Sequence, residues 1–253
     1  MKQCLIITPF KNSFPLFKKT YNSVLAQDYK YYKWIIVNDG SDKNQRNQLG
    51  HLVSNDNRIL IIDNENSQGA GYARNQALEY FKHDYIACID SDDEWDPKFL
   101  SHMIKSLEKN KTRFIFCGYR RLILSDDNKI IDRLNDFSAM GSYNADMILK
   151  GNPIACLTFL YKPKPGKDVP KFALIKMRND LGFIYNALLH DGPAIGLPDI
   201  LATYNIRNNS LSRNKFKAAF WQFYFLLRYT NLSLAKKIYF WLIWAFNGLK
   251  KYS

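Results

Sequence analysis

An α/β fold with a mostly parallel central sheet and helices on both faces is predicted by three features of the sequence. Apolar, β-prone runs recur at residues 4–7, 33–37, 58–62, 85–89 and 114–119. Each is nearly continuous in apolar residues rather than alternating, as strands buried on both faces require. Helical patterns lie between them, which is the alternation of a βαβ chain. Polar and acidic residues follow directly on strand ends, at Thr8, Asp39 and Asp90 to Asp92, where open α/β sheets place their ligands.

Taken in order, the first strand closes at Thr8-Pro9, and residues 18–26 carry a helical pattern with Tyr21, Val24 and Leu25 on one face. The second strand stops at Asn38-Asp39-Gly40-Ser41-Asp42, a turn by composition. After an amphipathic polar segment and the third strand, Gly69-Ala70-Gly71-Tyr72-Ala73-Arg74 opens a helix running to about Lys82. The fourth strand runs into the acidic turn, followed by a helix over 97–109 and a strand over 114–119. Residues 130–141 read as a polar loop. Pro163 to Lys167 can continue neither a helix nor a central strand. Residues 177–189 read as a helix with Asp180 near its start, where the helix dipole favours a carboxylate.

The totals narrow the classes. At 253 residues and 47% apolar, the chain can bury one large core with a small appendage. A net charge of +13 implies an anionic partner: nucleic acid, a phosphate-bearing ligand or a membrane surface. The charge is concentrated: from Arg213 onward there are eight Lys or Arg and no Asp or Glu. Two aromatic-aliphatic blocks, 220–227 and 238–246, stand among these basic residues. Neither reaches the ~20 apolar residues that span a bilayer, and the composition suits amphipathic helices lying on an anionic leaflet. A pair of core or dimer helices is the other reading. Cys4, Cys88, Cys117 and Cys156 are far apart, without CxxC pairing, so they read as reduced, buried thiols. The first residues lack the features of a secretory signal, and a cytoplasmic location is expected.

The acidic turn is the strongest motif: Asp90, Asp92, Asp93, Glu94 and Asp96 fall within seven positions. Carboxylates this close raise one another's pKa unless a cation sits among them, and oxygen ligands suit a hard divalent ion such as Mg²⁺ or Mn²⁺. A solvated acidic turn would have the same composition. A calcium loop fails, because Trp95 stands where that loop needs glycine and Ser101 where it needs glutamate. The glycine pair at 69 and 71 is not a dinucleotide fingerprint, since Arg74 replaces its third glycine. There is no GxSxG, HExxH or Walker A sequence, and the four histidines stand singly. No nucleic-acid motif accompanies the positive charge, so nucleic acid is not expected as a partner.

Together these residues resemble a known family. Residues 6–12 (Ile-Ile-Thr-Pro-Phe-Lys-Asn), Ser23 with Gln27 and Tyr29, residues 36–41, 69–75 and 89–95 are similar in order and spacing to family 2 glycosyltransferases with the GT-A fold. A weaker similarity over 178–183 and 204–212 resembles the acceptor-side half of the members that build bacterial surface polysaccharides. The aromatic of the first motif stands at Phe10, with Lys11 before Asn12. The resemblance implies a GT-A domain over 1–212, divided into a nucleotide-sugar half (1–110) and an acceptor half (111–212). A basic aromatic tail over 213–253 follows, peripheral on the inner face of the cell membrane. It implies a nucleoside diphosphate sugar as donor, commonly a UDP-sugar, and a glycan or lipid-linked glycan as acceptor. Thr8, Pro9, Phe10, Asn12, Asp39, Arg74, Asp90, Ser91 and Asp92 would form the donor site, with Asp39 on the base. Asp90 and Asp92 would hold Mn²⁺ or Mg²⁺, Asp92 more directly, and Asp180 would be the general base of an inverting transfer. Asn208, Ser210 and Ser212 would close over the diphosphate or acceptor. A catalytically silent, membrane-bound partner of another transferase is the alternative function.

Overall fold

The structure is a computed structural model that describes residues 2–80, 82, 84–207 and 215–250. Ten strands form one sheet in the order β3-β2-β1-β4-β9-β6-β10-β5, with β7 beside β6 and β8 beside β10. The first four are β1 (Cys4–Phe10), β2 (Tyr32–Asp39), β3 (Ile59–Asn64) and β4 (Tyr85–Cys88), all parallel. The short β9 (Phe159–Tyr161) runs antiparallel between β4 and β6 (Phe114–Leu124), and β6 then pairs in parallel with the long β10 (Ala194–Arg207). Six strands therefore share one direction. Short β5 (Glu94–Trp95) and β8 (Gly141–Tyr143) pair antiparallel with β10, at opposite ends of that strand.

Alternation along the parallel strands divides the core in two. Leu5, Ile7, Ile35, Val37, Ile86 and Cys88 face α3 (Ala70–Leu78), α5 (Ala145–Lys150) and α6 (Asn179–Asp191). Cys4, Ile6, Trp34, Ile36, Tyr85 and Ala87 face α1 (Phe14–Leu25), α2 (Lys43–Val53) and α4 (Phe99–Lys109). With both faces covered, the backbone can be approached only past strand ends. The order 3-2-1-4 reverses at β1, so the crevice opens beyond the carboxyl ends of β1 and β4.

Several boundaries differ from the sequence reading for local reasons. α1 starts at Phe14, because Pro15 fits the first turn of a helix, and α3 ends at Leu78. Residues 130–137 are not a loop but β7 (Ile130–Phe137), the second arm of a hairpin with β6. Its turn is fixed by Asn128 at φ 61 and by Ser125 N–H donating to Lys129 O at 2.9 Å. β7 pairs through its backbone while its side chains remain exposed, so no apolar pattern announces it.

The tail forms two helices, α7 (Lys215–Tyr229) and α8 (Leu234–Lys250), and its inner side belongs to the core. Phe225 and Leu226 are fully buried and Phe240 nearly so. Tyr185 of α6 meets the Phe225 ring edge-on, and Asn247 donates to Lys150 O at 3.0 Å. The outer side carries exposed Phe220, Leu234, Ile238, Leu242 and Phe246. No helix among the described residues is long and apolar enough to cross a membrane. Phe225→Ala is expected to destabilise the whole protein by about 3–5 kcal/mol, lowering Tm on the order of 10 °C. Leu242→Ala, at an exposed position of α8, should change Tm little, and thermal unfolding of both variants makes the comparison.

Candidate active site

Two adjoining clefts of about 970 Å³ and 800 Å³ open at the carboxyl edge of the sheet. The larger is lined by Asp39 from the end of β2, Asp90 and Asp92 beyond β4, and Asp180 from the first turn of α6. Four carboxylates spread over more than 140 positions of sequence thus face one space. Pro9, Phe10, Arg74 and Ser91 also line it, while Asn12 lines the adjoining cleft.

Asp39 organises the near wall. Its Oδ1 accepts the Gln68 N–H at 2.8 Å, and its Oδ2 accepts the Ser67 hydroxyl at 2.7 Å and the Gly69 N–H at 2.8 Å. Burial alone would raise its pKa, but these donors outweigh burial and hold it below the usual value. The loop approaches so closely that a Cβ on Gly40, at φ +70, would lie 2.6 Å from Ser67 N. Asp39 is therefore largely committed to its own loop, with capacity for one further donor.

The acidic turn is held from both sides. Arg74, only 3% exposed, donates from Nη2 to Asp90 Oδ1 and from Nη1 to Asn179 Oδ1 at 2.6 Å. It thereby ties the end of β4 to the start of α6. Arg207, at the last position of β10, donates to Asp92 Oδ2 at 2.6 Å, and Asn205 donates from Nδ2 to the Asp92 carbonyl at 2.6 Å. Ser91 accepts from the Ser13 hydroxyl at 2.7 Å. Asp93 is fully buried, accepting the Asn205 N–H at 2.9 Å. Burial and the neighbouring Asp92 and Asp90 push its carboxyl well above the ordinary range.

Asp92 is raised by burial and by Asp90, against the opposing effect of Arg207. The two arginines contact one oxygen of each carboxylate, and no described donor contacts the other oxygen of either. This is a fit for a small hard cation, which would relieve the repulsion between the pair. Among the described residues no group of three or more His, Cys, Asp or Glu could hold a metal by itself. Substrate oxygens and water would complete the shell, the usual arrangement for Mg²⁺ beside a diphosphate.

Asp180 is raised by burial, opposed by Arg74 and Arg178, with Asp90 adding to the rise. A carboxylate so perturbed and facing a cleft suits a general base.

One expected donor-site residue is placed differently from the sequence reading. Thr8 is fully buried on the α1 side of β1, its hydroxyl accepting from Trp34 Nε1 at 2.9 Å, and it does not line either cleft. Phe10 borders the larger cleft, but with no exposed surface and its ring edge-to-face against Phe17 at 5.3 Å it offers no face for a base. Asn12 is structural at its amide: its Oδ1 accepts the Asp42 N–H at 3.0 Å. Gly71 serves packing, since a Cβ there would lie 2.3 Å from Ala173 O. Asn208, Ser210 and Ser212 lie outside the described residues.

The sequence reading did not single out Asn205, Arg207, Lys176, Arg178, Trp221 and Tyr224, all of which line the clefts. Arg178, Asn205 and Arg207 stand inside the weaker family similarity over 178–183 and 204–212, which was the available signal, although no role was given to them. The tail aromatics gave none, because their composition alone suggested a surface helix.

Comparison with known proteins matches residues 5–159 to glycosyl transferase family 2. TuaG of Bacillus subtilis (strain 168), named for teichuronic acid biosynthesis, is 31% identical over 97% of this chain and 96% of its own length. An Escherichia coli protein named UDP-Glc:alpha-D-GlcNAc-diphosphoundecaprenol beta-1,3-glucosyltransferase WfgD is 29% identical over 98% of this chain and 94% of its own. Among solved structures, residues 1–349 of S. aureus TarS with UDP-GlcNAc superpose with a TM-score of 0.70 at 18% identity, covering 100% of this chain and 74% of that one. Mannosyltransferase PcManGT from Pyrobaculum calidifontis, with GDP-Man and Mn²⁺, gives 0.68 at 14% identity, covering 97% and 69%. The shared architecture is the GT-A fold.

Proposed function

Since the chain belongs to glycosyl transferase family 2, we propose that this glycosyltransferase moves a sugar, with inversion, from a UDP-sugar-class donor to a hydroxyl of a lipid-linked glycan during bacterial surface polysaccharide synthesis. One observation carries the reading: Asp39, Asp90, Asp92 and Asp180 line a single cleft at the switch point of the sheet. The names of TuaG and WfgD support the polysaccharide and the lipid-linked acceptor. The UDP-GlcNAc in TarS supports the donor class.

The roles follow from position. Asp39 and the loop it holds, with Pro9 and Lys11, border the part of the cleft suited to the nucleoside. Asp90 and Asp92 face the diphosphate and would hold Mn²⁺ or Mg²⁺. A divalent ion there supplies Lewis-acid compensation for the charge that gathers on the departing diphosphate. Asp180 takes the proton from the acceptor hydroxyl as that oxygen attacks the anomeric carbon from the face opposite the leaving group. A single displacement inverts the centre. Arg74, bridging Asp90 and Asn179, keeps the leaving-group side and the base side in fixed relation.

The exposed apolar outer side of α7 and α8, flanked by Lys236 and Lys237, suits the headgroup layer of an anionic membrane on its cytoplasmic face. Removing the tail would also strip Phe225 and Leu226 from the core, so substitution on the outer side is the cleaner test. Leu234→Glu with Leu242→Glu is expected to reduce co-sedimentation with phosphatidylserine-containing vesicles severalfold while Tm holds. Unchanged co-sedimentation would remove the membrane role. For the reaction itself, the protein is incubated with Mn²⁺ and a panel of UDP-, GDP- and dTDP-sugars, with EDTA as control. No hydrolysis or transfer from any of them would overturn the reading.

A further inference from the structure

The tail is a wall of the catalytic cleft as well as an outer surface. Trp221 and Tyr224 of α7 line the cleft that holds the four carboxylates, their rings 5.5 Å apart and edge-to-face. Phe220 lies 5.4 Å from the Trp221 ring and 6.2 Å from Tyr224, and is itself 61% exposed. An aromatic path therefore leads from the cleft that Asp180 lines to the outside, continuing one helical turn away to Phe216, which is 90% exposed.

Arg178 opens onto the same cleft. It lines both clefts together with Lys176, and its backbone is held at φ +66 where the chain enters α6. Its Nε is buried without a hydrogen-bond partner. Its guanidinium rests on the Trp244 ring of α8 at 5.0 Å. Among the described residues it donates no hydrogen bond and forms no ion pair. Arg74 nearby is committed to Asp90 and Asn179, and Arg207 to Asp92. Asp180 favours the charge only through space, against the burial that lowers it. A guanidinium half-buried in a cleft, its Nε sealed from solvent without an acceptor, fits an incoming anion, and its planar fork suits phosphate.

Two phosphates could reach it, the donor's diphosphate or one carried by the acceptor. Asp90 and Asp92 with their cation already serve the first. Arg178 stands two residues before the group that deprotonates the acceptor, and the aromatic path out of the cleft starts from the same lining. We infer that the seam between the start of α6 and α7 is an acceptor subsite for a glycosyl phosphate. Arg178 binds the phosphate, Trp221 and Tyr224 take the apolar face of the sugar ring, and the lipid leaves over Phe220 and Phe216. This inference rests on the glycosyl-transfer reading and names how the same site selects its acceptor.

Calorimetric titration of the full chain with three probes tests it: UDP with Mn²⁺, an undecyl-diphosphate GlcNAc, and the neutral undecyl glycoside of GlcNAc. The native protein should bind the diphosphate probe about tenfold or more tightly than the neutral one, the span of a charge-assisted hydrogen bond. Arg178→Gln should erase that preference and move the UDP affinity less than twofold, and Arg178→Lys should restore part of it. Trp221→Ala should weaken both glycosides alike. If Arg178→Gln instead weakens UDP and leaves the preference intact, the arginine serves the donor and the subsite is overturned. An equal affinity of the native protein for the two glycosides overturns it as well. Failure of the underlying reading looks different: no UDP-, GDP- or dTDP-sugar is bound or turned over, whatever the glycosides do.

Discussion

Asp92→Ala is expected to abolish cation-dependent binding of UDP and to lower sugar transfer by at least about 10²-fold, the scale lost when one preorganised electrostatic contact to a developing anion is removed. Asp92 and Asp90 face the same cleft from one short turn, and each has one oxygen taken by an arginine. Removing Asp92 takes away half of the carboxylate pair and leaves Arg207 without its partner. A diphosphate could then draw Arg207 to itself, so nucleotide binding without metal can survive while binding that requires Mn²⁺ does not. Asp92→Asn separates the effects, because it retains an oxygen for Arg207 and loses the charge a cation needs. Titration of UDP into each variant, with Mn²⁺ and with EDTA, reads the difference directly. If Asp92→Asn binds UDP and transfers sugar as the native protein does, the acidic turn is a structural brace for β10 through Asn205 and Arg207.

Much of this arrangement was legible because buried parallel strands leave long apolar runs and the ligand edge of such a sheet follows from topology. Asp39, Asp90 and Asp92 stood out by following directly on strand ends, whereas Asp180 was marked only by the family resemblance, its place at a helix start arguing by itself for no more than a favourable dipole contact. What could not be read was side-chain commitment. Thr8 is one residue from cleft-lining Pro9, yet strand alternation sends its hydroxyl into the layer under α1, to Trp34. Arg74 reads from the sequence as a donor-site residue at a helix start, and only the fold reveals that it joins Asp90 to Asn179. β7 escaped because its exposed side chains follow no burial pattern. The tail was ambiguous for a different reason: its helices are apolar on two sides, one buried in the core and one exposed. Composition cannot divide an aromatic run between them.

Asp180→Asn is expected to lower kcat/KM for transfer by about 10²–10⁴-fold, the range of a lost general base, with UDP binding in the presence of Mn²⁺ nearly unchanged. Its pH behaviour gives the sharper test. Burial, with Asp90, raises the Asp180 pKa above the ordinary aspartate value, and Arg74 and Arg178 offset only part of that rise. A base must be deprotonated to act, so the acid limb of the native pH–rate profile should lie above the ~3.9 of a free aspartate and vanish in the residual rate of the asparagine variant. Stability should move the other way. The folded carboxyl holds its proton to higher pH than the unfolded one, so native stability falls as pH rises from the ordinary value through the raised one. Asparagine carries no such penalty, and Asp180→Asn should therefore gain stability relative to the native protein at pH 8 but not at pH 4. Thermal unfolding at the two pH values measures this beside the rate. A variant that is less stable at pH 8 and keeps the acid limb would show that Asp180 is a helix-start carboxylate rather than the base.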